Sequence, residues 1–258
     1  MSPGPSFTYA DYEAIIDAAQ SSGYRFAKFT DPDPVPGERV VYVRHDVDNC
    51  LESALRMAEL EERRGAVSTY LVLVRSENYN PFTAANAERI GRIRALGHEV
   101  GLHFVGGQEP DVGGSDLESR IRDDARLLEQ IVHAPVRVFS FHNPTESVGS
   151  DTEPAGLINA YAGRFFADAC YLSDSNMRWR GSPAEILESR EHDVVQILVH
   201  PLSYRAGFRT DRDVLLWFLR EKVRELLTLN VEQNRALRET GVTMTEVASF
   251  IAGESSRP

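Results

Sequence analysis

Cysteine is nearly absent. The 258 residues hold two, Cys50 and Cys170, too few for a disulfide framework or a Cys-rich zinc module. Neither sits in a nucleophile motif with a flanking basic residue, so both are expected to be buried, inert thiols. Long apolar runs are missing too. None approaches the ~18 residues of a membrane span, and the opening MSPGPSFTYADYEAII has no basic segment leading into an apolar one. A soluble cytoplasmic protein without a transmembrane segment is the expectation. Positive charge is in deficit: 28 Lys and Arg against 39 Asp and Glu give a formal net charge of −11. With no basic stripe visible, nucleic acid is not expected as a partner. P-loops, Gly-rich dinucleotide fingerprints, Ser-nucleophile signatures, internal repeats and low-complexity linkers are likewise missing.

What is present is alternation. YADYEAIIDAAQSSGY reads as a helix, DPDPVPGER as a Pro-rich connection, and residues 39–45 as a strand. CLESALRMAELEERRG, TAANAERIGRIRALG and DLESRIRDDARLLEQIV read as amphipathic helices. VSTYLVLV, HEVGLHFV, VRVFSFHNP, RFFADACYLSD and VVQILVHPLSY read as the intervening and later strands. A long helical region follows over about 211–239, with Trp217, Phe218, Val223, Leu226 and Leu227 as its expected buried face. Strands alternating with helices of this length imply parallel βαβ units. At about six or seven strands a barrel is favoured over an open sheet. One domain over residues 1–258 is expected, with an N-terminal helix and a C-terminal helical extension at about 211–251.

Nearly every strand ends C-terminally in histidine or acid: Asp46 and Asp48, His103, His142, Asp174 and His200. In a parallel α/β barrel these ends converge on one mouth. Asp46 and Asp48 are two apart, so on a strand they face the same side. Two carboxylates that close repel unless a cation or a proton lies between them. The plainer alternative is a solvated turn in which Asp48 or Asn49 caps the next helix. His45 faces the other way and suits a structural role, as do His98 and Glu99 at the start of their strand. His133 and His192 precede strands and read as surface residues. LSDSNMRWRG offers Asp174, Ser175, Asn176, Arg178, Trp179 and Arg180, a set suited to stacking on a sugar or clamping a phosphate, or else an ordinary exposed loop.

The order VRHDVD, GHEVGLH, FSFHNP, YLSDS…W, ILVHP, from about residue 39 to 204, resembles the polysaccharide deacetylase superfamily. This is the carbohydrate-esterase group with a NodB-type domain, and the likeness is greatest to its WbmS-like intracellular branch, found beside surface-polysaccharide genes. The resemblance implies a deformed (β/α)7 barrel, one divalent metal, usually Zn2+, and hydrolytic removal of an acyl group from an N- or O-acylated sugar. It implies Asp46 as general base, Asp48 and His103 as metal ligands, and His200 as general acid. Arg44, Asn143, Asp174, Asn176, Arg178, Trp179 and Arg180 are the expected substrate-binding residues. The sequence departs from the family where its second ligand histidine belongs: four residues after His103 stands Gly107. The family's arginine before the third-motif proline is replaced as well, by His142-Asn143. Either His142 supplies the third ligand from the next strand, which is the expectation, or the site binds metal weakly, or it has lost metal and catalysis. A small-molecule or lipid-linked acylated sugar is the expected partner. The alternatives are a metal-free sugar- or nucleotide-sugar-binding protein, and a metal-dependent amidohydrolase on a non-sugar substrate.

Overall fold

The computed structural model describes residues 7–106, 115–142, 153–205 and 210–252. The chain divides into two compact units, Met1–Phe208 and Arg209–Pro258. In the first, α1 (Tyr9–Ser21) and β1 (Arg25–Ala27) precede a regular alternation. It runs β2 (Val40–Val47), α2 (Leu51–Arg63), β3 (Thr69–Leu73), α3 (Ala84–Ala95), β4 (Glu99–Phe104), α4 (Ser115–Val132) and β5 (Val138–Phe141). The shorter β6 (Ile158–Asn159), α5 (Gly163–Phe166), β7 (Cys170–Ser173), α6 (Pro183–Ser189) and β8 (Val194–Val199) complete it. The strands are parallel and hydrogen-bonded in the order β6-β5-β4-β3-β2-β8-β7, with β1 added beside β2. The result is a curled half-barrel with flanking helices, the parallel barrel type expected from the alternation and consistent with the deformed (β/α)7 barrel that the resemblance implies.

Strand alternation divides the apolar residues into two cores. On β2, Val41, Val43 and Val47 face outward and join Tyr70, Val72, Leu102, Phe139 and Ile197. The helices cover this face with Ile15, Ile16, Met57, Ile93 and Ile121, among others. Val40 and Tyr42 face inward and pack with Phe29, Leu71, Val138 and Phe165 in a smaller cluster that plugs the half-barrel. Gln196 of β8 strengthens that plug by donating to the carbonyls of Ala160 and Phe165. Further along β2 the inward series continues as Arg44 and Asp46, both buried. The apolar interior thus ends where the polar site begins.

The strand read over RFFADACYLSD is shorter than expected. Its first part is α5, and only Cys170–Ser173 pairs, with β8. Ala162 and Phe165 enter the interior cluster, so tertiary packing outweighs the apolar pattern there. β1, between the stretches read as helix and as Pro-rich connection, is an element the pattern did not reveal. Both cysteines are free and only partly buried, so full burial is corrected.

The second unit holds α7 (Asp211–Gln233), α8 (Arg235–Thr240) and α9 (Met244–Ile251). A capping box between Thr210 and Asp213 starts α7. Along α7, Phe218 is buried whereas Leu226 is exposed, which corrects part of the face expected from its sequence. Among the described residues no helix is long and apolar enough to cross a membrane.

Candidate metal centre

The centre is built where β2 passes into α2. Asp46 is the last inward residue of β2, and Asp48 follows in the short link to the helix. The capping residue of α2 is Cys50, which makes no side-chain cap hydrogen bond. Asp48 and Asn49 are therefore not the cap, contrary to the plainer reading of this turn.

Asp48 Oδ1 lies 3.2 Å from His103 Nε2 and 3.4 Å from His142 Nδ1, and the two imidazole nitrogens are 3.3 Å apart. These three ligand atoms all fall within 4.8 Å of one another. Asp48 Oδ1 is buried and has no properly directed hydrogen bond among the described residues. A buried carboxylate oxygen left in that state is costly unless a cation completes it. Burial pushes the Asp48 carboxyl up, but the neighbouring imidazoles hold it well below the usual range. His103 Nδ1 is 2.7 Å from Ser140 Oγ. That contact fixes the ring and leaves Nε2 facing the centre, as an outer partner does for a metal-bound histidine. Two imidazoles and a carboxylate with further positions open suit a divalent ion such as Zn2+. The residues present fit the metal.

Two charged pairs flank this triad. Arg44 donates from Nε and Nη2 to the two oxygens of Asp46, at 2.7 Å each. Its guanidinium also reaches the Tyr161 hydroxyl at 3.1 Å and lies 4.3 Å from that ring's centroid. Burial alone would raise the Asp46 carboxyl; Arg44 outweighs it and holds Asp46 ionised. Asp46 Oδ2 is 3.5 Å from His103 Nε2, at the edge of the triad. On the other side, His200 Nδ1 is 2.5 Å from Asp174 Oδ1, and Asp174 also accepts the backbone N–H of His200. Burial disfavours a charged His200, yet Asp174 prevails and pushes its pKa up to about 9. His200 Nε2 faces Asp48 Oδ2 at 3.8 Å.

Asp46, Asp48, His103, His142 and His200, distant in sequence, thus meet at one end of the half-barrel. Arg44 and Asp174 are corrected as substrate contacts. Both are fully buried and engaged, one by Asp46 and the other by His200, so they act on neighbouring side chains. Trp179 is half-buried, with its ring packed against the main core. Asn176, Arg178 and Arg180 do line an open cavity, with Phe166, Tyr171 and Ser173. Asn143 and Gly107 lie outside the described residues. Ser140 and Tyr161 were missed. Ser140 was legible in principle, because it stands two before His142 and shares its inward face; nothing near Tyr161 announced a role.

Below the centre, on the helix side of β2, lies a second polar group. Glu61 of α2 accepts from Ser68 Oγ (2.6 Å), from the Tyr70 hydroxyl (2.7 Å) and from the Tyr12 hydroxyl, and His45 Nε2 stands 2.6 Å away. His98 closes the group, accepting from Ser68 N at Nδ1 and facing the Ala58 carbonyl from Nε2. His45 and His98 are structural, as their strand positions suggested.

No family model matches the sequence, and no curated protein matches it. Similar solved structures are distant. Peptidoglycan deacetylase PdaC from Bacillus subtilis is 15% identical, with 78% of this chain and 100% of that chain covered and a TM-score of 0.45. The deacetylase PplD from Streptococcus pyogenes, in complex with acetate, is 13% identical, with 74% and 81% covered and a TM-score of 0.41. BA3943 from Bacillus anthracis, a CE4 family pseudoenzyme, is 15% identical, with 76% and 66% covered and a TM-score of 0.42.

Proposed function

We propose that the protein is a metal-dependent hydrolase that removes an acyl group from an N- or O-acylated sugar. The observation that carries the reading is the meeting of the Asp48–His103–His142 triad with Asp46 on one side and His200 on the other. The choice of a sugar rests on the ordered motifs in the sequence.

When bound, a divalent cation, Zn2+ by its donor set, supplies polarisation of the acyl carbonyl and acidifies water. Asp48, His103 and His142 would hold it. Asp46 takes the proton of the attacking water as general base, with Arg44 keeping its carboxylate ionised and fixed in direction. His200 is protonated at neutral pH and delivers a proton to the leaving amine or alkoxide, with Asp174 orienting the ring. Between them, a fixed anion and a fixed cation define where water and leaving group stand.

The test is acetate release from N- and O-acetylated monosaccharides and oligosaccharides by the zinc-loaded chain. Release that disappears in Asp46→Asn, with zinc still bound, is expected. Stoichiometric zinc with no release from any acetylated sugar would contradict the reading.

A further inference from the structure

We infer that the substrate carries a phosphate or diphosphate ester, bound by Arg178 and Arg180 in the cavity beside Asp174. The inference rests on the hydrolase reading for the word substrate, and on local structure for the rest.

The segment after β7 explains how the two arginines reach one place. Asn176 and Met177 both have left-handed backbone, with φ of 58° and 51°. Such a turn is ordinary for Asn and strained for Met. It is held because Met177 and Trp179 both pack against the main core. Arg178 is extended, at φ −139° and ψ 119°, so side chains alternate across this stretch. With Trp179 turned inward, Arg178 and Arg180 are left on the other side, and both line the same cavity of about 490 Å3. That size suits a sugar phosphate or a nucleoside diphosphate.

Charge then selects the ligand. The chain carries a net charge of −11, yet among the described residues no acid lines this cavity. Arg25, Arg64, Arg75 and Arg164 are each paired with carboxylates. Arg178 and Arg180 have no carboxylate partner among the described residues. The cavity that takes in Asp48 and His142 of the triad differs: it is also lined by Glu77 and by an Arg75 already paired with Asp124. Of these two cavities, the Arg178 side offers guanidinium forks with no carboxylate partner among the described residues, and their geometry matches phosphate oxygens. Phe166 and Tyr171, with ring centroids 4.7 Å apart, supply an apolar wall for a sugar or a base.

The cavity wall also runs into the end of β7 that supports this centre. Ser173, on the cavity wall, immediately precedes Asp174, which orients His200.

The experiment is isothermal titration of the full chain, stripped of metal by dialysis against chelator, with inorganic pyrophosphate and separately with UDP. A parallel set uses Arg178→Gln/Arg180→Gln; both side chains are exposed, and an unchanged Tm establishes that the variant is folded. Saturable binding of both probes, weakened at least tenfold in the variant and by added salt, is expected. UDP binding tighter than pyrophosphate assigns a nucleotide-linked sugar, and equal binding assigns recognition of the diphosphate alone, as in a lipid-linked sugar. No saturable binding, or equal binding by wild type and variant, overturns the inference. Zinc content and acetate release are separate readouts. Hydrolysis of a neutral acetylated sugar without pyrophosphate binding sinks this inference alone, and pyrophosphate binding without any hydrolysis sinks only the hydrolase reading.

Discussion

Arg44 grips Asp46 with two parallel hydrogen bonds of 2.7 Å from only two residues earlier on the same strand. Neighbours of this spacing share one face of β2, so the pair sits inside the half-barrel with almost no water. Breaking a buried pair by removing one partner costs about 3–5 kcal/mol. Arg44→Met is expected to lose stability on that scale in urea unfolding. The double variant Arg44→Met/Asp46→Asn is expected to lose less than the sum of the single losses. Strict additivity of the two would show that the pair is not coupled.

His200 gives a pH signature. Its pKa is about 9 in the folded chain, against an ordinary 6.5, so protonation favours the folded state. That stabilisation is complete below about pH 6.5 and is lost as pH rises through about 9. Asp174→Asn removes the cause of the shift. In this variant the His200 titration, followed by NMR, is expected to fall by a unit or more, and the alkaline decline in stability to flatten. An unmoved titration would separate Asp174 from the proton donor.

The Glu61 group has the opposite sign. Burial pushes this carboxyl up, but His45, His98 and Ser68 hold it down at about 2. Its stabilisation is present above about pH 4.5 and disappears as pH falls towards 2. Glu61→Ala leaves the donors of Tyr12, Ser68 and Tyr70 without their acceptor, and a loss of about 3–5 kcal/mol is expected. Chemical denaturation at pH 7 measures it; a loss under ~1 kcal/mol would mean that water replaces the carboxylate.

Gly101 marks where β4 lies closest to its neighbours. A Cβ there would stand 2.5 Å from Val138 Cγ1, 2.6 Å from Leu71 Cδ2 and 2.6 Å from the Val138 carbonyl. Because one of these contacts is backbone, a rotamer change alone cannot relieve the crowding. Gly101→Ala is expected to cost about 1–3 kcal/mol, and because Gly101 is two residues before His103, zinc affinity should fall with it. A neutral substitution would show that β4 and β5 separate easily.

These residues also show what a sequence can and cannot convey. Asp46, Asp48, His103, His142 and His200 were legible because each follows an apolar run and parallel strands bring their C-terminal ends together. The outward turn of His45 followed from period two. The partner of Asp46 was not legible: Arg44 stood two residues away in plain view, but one guanidinium beside one carboxylate in sequence does not say which it holds. Glu61 was hidden for a different reason. Within the LEERR run on a helix it reads as solvated, and its partners come from α1, β2, β3 and the residues just before β3 and β4. That Trp179 packs partly against the core was hidden as well, because composition does not tell which of two alternating sides faces inward.

The central measurement is zinc content by elemental analysis of protein purified without chelator, for wild type, His142→Ala, Asp48→Asn and Asp46→Asn in parallel. About one zinc per wild-type chain is expected, retained in Asp46→Asn and lost in the other two. Full zinc in His142→Ala, or no zinc in wild type after zinc is added back, would contradict a metal centre completed by His142.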